Sequence, residues 1–186
     1  MSLPHALLAA LLERPGSGSE LARRFDRSIG YFWHATHQQI YRELARLEKA
    51  SLVESLPPET GRGRKRAYRV LPAGRTELVR WTASAVEPST SRNELMVRIR
   101  AEAIIGPTGL HEELARLMQW HEGKLTLYRE IQARDFTGRE LNRGQQLQSL
   151  VLRAGIDTET LWVNFCREVL TVLAQDVPQT AEAPVE

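Results

Sequence analysis

Residues 38–70 constrain this chain's fold most tightly, because they carry two helical stripes of opposite character and then switch to a strand period. In the run from Gln38 to Glu48, Ile40, Leu44 and Leu47 recur at i, i+4 and i+7, so they share one face that can dock on a core. Arg42, Arg46 and Lys49 repeat that spacing about half a turn away and face outward. Leu52–Val53–Glu54–Ser55–Leu56 then reads as a short strand, which Pro57–Pro58 keeps from lengthening, and Arg66–Ala67–Tyr68–Arg69–Val70 alternates as its partner. Between them Gly61–Arg62–Gly63–Arg64 is flexible and cationic. A docked helix with a cationic outer face beside a basic hairpin is the layout of a winged helix-turn-helix on DNA.

Charge is distributed in keeping with that layout. Residues 1–85 hold 14 Lys/Arg and 8 Asp/Glu, a balance of +6, while residues 86–186 hold 11 and 15, a balance of −4. Only the first half is suited to a polyanion. The single Cys166 cannot form an internal disulfide and fits a reducing cytoplasm. No apolar run approaches the roughly 18 residues of a membrane span. Leu7–Leu12 is too short, and it lacks the basic flank and cleavage site of a secretion signal. Nothing supports catalysis: Gly61-x-Gly63 lies in a hairpin rather than before a helix, and there is no nucleophile elbow or catalytic carboxylate pair. No cofactor is expected. The histidines His34, His37, His111 and His121 have no carboxylate or cysteine cluster to complete a zinc site, and His111 and His121 read as isolated.

The rest of the chain is predicted to be mostly α. Leu3, Leu7, Leu8 and Leu11 suit a first helix stopped by Pro15–Gly16. Ser17 or Ser19 can cap a second helix carrying Leu21, Ala22 and Phe25, which Gly30 breaks before an aromatic turn at Tyr31, Phe32 and Trp33. Thr36 is the candidate N-cap of the third helix. Pro72–Ala73–Gly74 leads into a fourth through Trp81 to about Ala85. Glu87–Pro88–Ser89–Thr90–Ser91 is the candidate linker. A helix through Leu95 and Ile99 stops at Gly106–Pro107. Long helices then run from Leu110 to about Asp135 and from about Asn142 through Val172, with Gly155 a candidate bend. This gives a winged-helix domain with a two-stranded wing at 1–86, a helical dimerisation domain at 91–176, and a polar, disordered tail at 177–186.

The candidate reading residues are Thr36, His37, Gln38, Gln39, Tyr41, Arg42 and Arg46, since a recognition helix enters the major groove with its N-terminal turns foremost. The plainer reading is a solvated face with local ion pairs; Glu43 can pair with Arg46, whereas Arg42 has no acidic residue three or four positions away. Arg62, Arg64, Lys65 and Arg66 suit phosphate contact, because a flexible loop holds no fixed fork geometry. Leu147, Leu150, Val151, Leu161, Phe165, Val169 and Val172 give the last helix more apolar surface than one helix can leave wet, and a second subunit is the expected partner. Trp120 and Trp162 are candidate walls of a pocket for a flat ligand, although packing is the commoner role. Trp33 and Trp81 read as core or interface residues, and Cys166 as a buried thiol.

The run from Gly30-Tyr31-Phe32-Trp33 through Gln39-Ile40-Tyr41-Arg42-Glu43-Leu44, with Leu47-Glu48 and Leu52-Val53-Glu54, resembles the PadR family of bacterial transcriptional regulators. Arg64-Lys65-Arg66-Ala67-Tyr68 and Pro72-Ala73-Gly74 are similar to that family's wing and next helix. Asn93-Glu94-Leu95-Met96-Val97-Arg98 looks like the opening of the helical C-terminal domain in its virulence-regulator-like branch. The resemblance implies a cytoplasmic homodimeric winged-helix regulator, usually a repressor, whose C-terminal helices form the dimer interface. Some members release double-stranded DNA on binding a small, often aromatic, molecule. One departure is Ser51, where the family usually has a glycine at the end of the recognition helix. The alternative function is a winged-helix protein-interaction module. Steep salt dependence of binding separates DNA from a protein partner.

Overall fold

The computed structural model describes residues 3–27, 35–57, 66–86 and 93–176. Several features expected from the sequence therefore lie outside the described residues: the turn at Gly30, Tyr31, Phe32 and Trp33, the wing tip with Arg62, Arg64 and Lys65, the linker at 87–91 and the tail at 177–186. The chain divides into two compact units, Met1–Ser89 and Thr90–Glu186.

In the first unit, α1 (Leu3–Glu13) buries Leu7, Leu8, Ala10 and Leu11. The helix α2 (Gly18–Arg27) starts from a capping box at Ser17. The Ser17 hydroxyl accepts from the Glu20 N–H (3.3 Å), and the Glu20 carboxylate accepts from the Ser17 N–H (2.7 Å). Leu21, Ala22 and Phe25 of α2 join Ile40, Leu44 and Leu47 of α3 (His37–Lys49) in one core with Val53 and Tyr68. Strands β2 (Val53–Ser55) and β3 (Ala67–Val70) pair antiparallel, with Glu54 opposite Arg69 and bonded to it. α4 (Pro72–Thr82) follows, ending three residues before the expected Ala85.

The sheet holds one strand more than the sequence pattern predicts. Gly16–Ser17 forms β1, which pairs antiparallel with β3, so the sheet has three strands in the order β1-β3-β2 instead of two. Two residues are too short to show a period, and only β3 makes them a strand. Gly74 has a role of its own here: a β-carbon there would collide with the Leu52 carbonyl oxygen, so glycine lets α4 close on the sheet.

In the second unit, α5 (Glu94–Ile105) is capped by the Asn93 side chain, which accepts from the Leu95 N–H (3.0 Å). It ends at Gly106, where φ is 85°. The buried Glu102 carboxylate then accepts from the N–H and hydroxyl of Thr108 and fastens the connection to α6 (Leu110–Asp135). α7 (Arg143–Leu173) opens on an Asn142–Gln145 capping box and runs as one helix into a short 3-10 turn, Ala174–Asp176. α6 and α7 run antiparallel, with Glu122 near Arg167, His121 against Glu159 and Tyr128 against Gly155. The role of Gly155 is close approach, since a β-carbon there would come within 3.1 Å of the Tyr128 ring. Leu110, Leu114 and Cys166 form the other buried cluster, supported by Leu95, Ile99, Leu117 and Val169. Burial raises the Cys166 thiol pKa, as befits an inert core thiol. Among the described residues, no helix is long and apolar enough to cross a membrane.

Candidate nucleic-acid interface

α3 is fixed at both ends and from behind, which leaves one face open. At its start the Thr36 hydroxyl accepts from the Gln39 N–H (3.2 Å), and the Gln39 side-chain oxygen accepts from the Thr36 N–H (2.8 Å). These two candidate reading residues therefore also bond each other. At its end the Leu52 N–H donates to the Leu47 carbonyl (3.0 Å) and the Ser51 N–H to that of Glu48 (2.9 Å), a Schellman motif. That motif places its last turn residue in the left-handed region, and Ser51 stands there with φ 55°. The departure from the family's glycine is absorbed as local strain without changing the turn.

The open face carries His37, Gln38, Tyr41, Arg42, Arg46 and Lys49, all exposed. Arg46 reaches Glu43 (3.4 Å), as the spacing predicts. Arg42 has no ion-pair partner among the described residues, so its charge is not spent on a neighbour. Tyr41 is 48% exposed, and its ring lies over Gly18 at the start of α2. Arg66, at the foot of the wing, is exposed and 3.8 Å from Glu48 on the rear flank of α3. The wing foot thus lies alongside the C-terminal half of α3, with Arg66 close to Glu48. Arg62, Arg64 and Lys65 lie outside the described residues.

Trp81 is not a core residue: its ring stacks on His5 (4.4 Å between centroids, 6° between planes) at the α1–α4 contact and stays partly exposed. His5 also bonds Glu77 (3.1 Å). Arg80 and then His5 hold the Glu77 carboxyl down at about 2.

In the helical unit the structure brings Trp120 and Trp162 to the same side chain, His121. The Trp162 ring stacks on it (5.6 Å, 12°), and the Trp120 ring meets it edge-on (4.7 Å). His121 is far from isolated, which corrects the sequence reading. Its Nδ1 lies 2.5 Å from the Glu159 carboxylate, which also pairs with Lys124 and is only 4% exposed. Lys124 in turn sits over the Trp120 ring (4.5 Å). Residues 121 and 159 are 38 apart, so only the register of α6 on α7 could reveal the pair. Of the candidate dimerisation residues, Leu147, Leu150, Val151, Leu161 and Val172 are exposed. Val169 is instead packed on its own chain's Leu110–Leu114–Cys166 cluster, and Phe165 lies partly buried against Trp162.

Three packed helices, a small antiparallel sheet and an exposed third-helix face define a winged helix-turn-helix, joined here to a long helical hairpin. Residues 7–80 match the transcriptional regulator PadR-like family, and residues 91–174 match the virulence activator alpha C-terminal region. The chain is 38% identical over 187 residues to the probable transcriptional regulator Rv1176c of Mycobacterium tuberculosis, covering 94% of this chain and 99% of that one. It is 22% identical over 184 residues to the negative transcriptional regulator PadR of Bacillus subtilis, with 94% and 98% covered. The structure of the virulence activator AphA of Vibrio cholerae superposes with a TM-score of 0.77 at 31% identity, over 94% of this chain and 99% of that one. Bacillus subtilis PadR in complex with operator DNA gives 0.78 at 21% identity, over 91% and 97%. The chain belongs to the PadR-like family of transcriptional regulators.

Proposed function

We propose that this regulator is a homodimeric repressor that reads its operator with α3, holds the backbone with its wing, and lets go when a small aromatic molecule binds. The observation that carries the reading is the construction of α3. Ile40, Leu44 and Leu47 anchor it from behind, while His37, Gln38, Tyr41, Arg42 and Arg46 are exposed on the outer face. Rigid support of polar side chains is what base reading requires, with Gln suited to adenine and Arg to guanine. Thr36 and Gln39 set the start of that helix, and Arg62, Arg64, Lys65 and Arg66 supply phosphate contacts from the wing.

The dimer is supported by a stripe on α7. Leu147, Val151, Leu161 and Val172 fall on one face, about a third of a turn from the residues buried against α6. The effector reading draws on Bacillus subtilis PadR, which has been solved with p-coumaric acid. In this chain Trp120 and Trp162 would supply the aromatic surfaces, with Lys124 and His121 between them as cationic or hydrogen-bonding groups.

The test is selection of bound fragments from a genomic DNA pool, mapped against promoters, followed by transcription in vitro from the selected promoter. Enrichment of one paired half-site and reduced transcript are expected. No enrichment over random sequence would overturn specific reading, and an increased transcript would overturn repression.

A further inference from the structure

A second cationic surface lies at the corner between α1 and α2. Arg14, Arg23 and Arg24 line a cleft of about 220 Å³ with Pro15 and Glu20. Arg24 has a structural task, donating from Nη1 to the carbonyls of Ala10 (3.0 Å) and Arg14 (2.6 Å) and so closing the end of α1. Burial and then the charge of Arg14 lower the Arg24 pKa, with Glu20 and Glu13 opposing them. The Glu20 carboxylate is itself bonded to the N–H and hydroxyl of Ser17. Arg14 and Arg23 are exposed and have no ion-pair partner among the described residues. The cleft therefore gathers three guanidinium groups beside the engaged Glu20 carboxylate, with Glu13 acting on Arg24 from nearby, and an anion entering it would ease the repulsion between Arg14 and Arg24.

Its neighbours say which anion. Arg24 lies against Gly16, where a β-carbon would fall 2.5 Å from its Nη2, and Tyr41 lies against Gly18. Three residues of backbone thus separate the cleft from the open face of α3. Gly16 and Ser17 also pair with Tyr68 and Ala67 on β3, next to Arg66 at the foot of the wing. A duplex lying on α3 and the wing foot would carry its backbone past this corner. Arginine forks suit phosphate oxygens.

We propose that the Arg14–Arg23–Arg24 cleft is a phosphate site that receives a backbone phosphate of bound DNA, extending the footprint beyond α3 and the wing. The assignment rests on the DNA-binding reading above. It concerns affinity and register, because a phosphate contact carries no sequence information.

The test is the double variant Arg14→Gln/Arg23→Gln in the full chain, which leaves Arg24 to close α1. Affinity for a random-sequence DNA duplex is measured over a salt series, with thermal unfolding alongside. The expected result is weaker binding to every sequence, a log–log salt slope flatter by roughly 0.9 for each phosphate the variant no longer neutralises, and an unfolding midpoint that does not fall. Arg23→Glu alone, at an exposed helical position, should act in the same direction. Salt-dependent wild-type binding with an unchanged slope in folded variants overturns the cleft and leaves the DNA reading standing. Absence of wild-type binding to any duplex overturns both. In a second arm, wild type and variant are melted in phosphate and in chloride at matched ionic strength. Phosphate stabilisation that disappears in the variant, beside an unchanged DNA slope, would assign the cleft to a free oxyanion and overturn the backbone assignment.

Discussion

A β-carbon on Gly18 would lie 2.8 Å from Cδ1 of Tyr41, so the ring that projects from the open face of α3 rests on the bare backbone at the start of α2. The contact sets where the ring can stand. Gly18→Ala should push the ring aside while leaving the core intact, because Tyr41 is a flexible side chain with half its surface in solvent. Tyr41→Ala should cost about 1–3 kcal/mol of discrimination between operator and scrambled DNA, the range for a well-placed base contact. Gly18→Ala should lose part of the same discrimination. Titrations of both duplexes at one salt concentration check this. Equal losses on both would assign Tyr41 to the backbone.

Ser51 offers a stability test. Its φ of 55° is the left-handed conformation that costs an L-residue about 1 kcal/mol relative to glycine. The Leu52–Leu47 and Ser51–Glu48 hydrogen bonds hold the turn whatever side chain is present. Ser51→Gly should therefore raise stability by up to about 0.6 kcal/mol in urea unfolding, after the roughly 0.4–1 kcal/mol for the extra freedom of glycine in the unfolded chain is subtracted. A destabilised variant would show that the serine side chain has a role of its own in that turn.

These two sites mark how far the sequence could be read. Local periodicity located α3, α6 and α7, since Ile40–Leu44–Leu47 and Leu110–Leu114 each announce a face by spacing alone. Caps were legible too: Ser17 and Thr36 stand just before their helices, each with a Glu or Gln partner three residues on. What escaped depends on partners distant in sequence. β1 exists only because β3 lies beside it, and Glu159 meets His121 through the antiparallel register of α6 on α7, in which Tyr128 also lies against Gly155. The candidate reading residues were chosen by type and face, but the bond between Gln39 and Thr36 became visible only in the structure.

Glu77 makes a pH prediction. Its carboxylate accepts from Arg80 (2.8 and 2.7 Å) and bonds His5, and those contacts hold it at about 2 against about 4.3 for an unfolded chain. A depressed carboxyl contributes stability that is complete above the unfolded value and is lost as pH falls from about 4.3 through about 2. Glu77→Gln should remove that part of the acid limb. Unfolding midpoints measured across this window check it, and identical acid limbs for the two proteins would sink the idea.

The Glu159 network should be expensive to break. Its carboxylate is buried and faces His121 and Lys124, themselves mostly covered. Glu159→Gln leaves the ammonium of Lys124 without its counter-charge, and loss of one member of a buried pair costs about 3 kcal/mol. Chemical unfolding of the helical unit reads this directly. A loss under about 0.5 kcal/mol would mean that Lys124 simply swings out to water, and the network could not then hold Trp120 and Trp162 in place.

The last prediction concerns association. On α7, Leu147, Leu150, Val151, Leu161 and Val172 each stand about half exposed or more, although α6 already covers another face of the helix. On α5, Val97, Ile104 and Ile105 are 67%, 77% and 70% exposed. So much exposed helical apolar surface is the mark of an interface, and a second copy of the chain would cover it. Leu150→Glu with Leu161→Glu should give a folded monomer, because neither side chain belongs to the buried clusters. Sedimentation at micromolar concentration should show a dimer for the wild type and half that mass for the variant. DNA binding should fall as well, since one half-site gives up the gain of holding two at once. A wild-type chain that sediments as a monomer would remove the dimer, and α7's second stripe would then need a different partner.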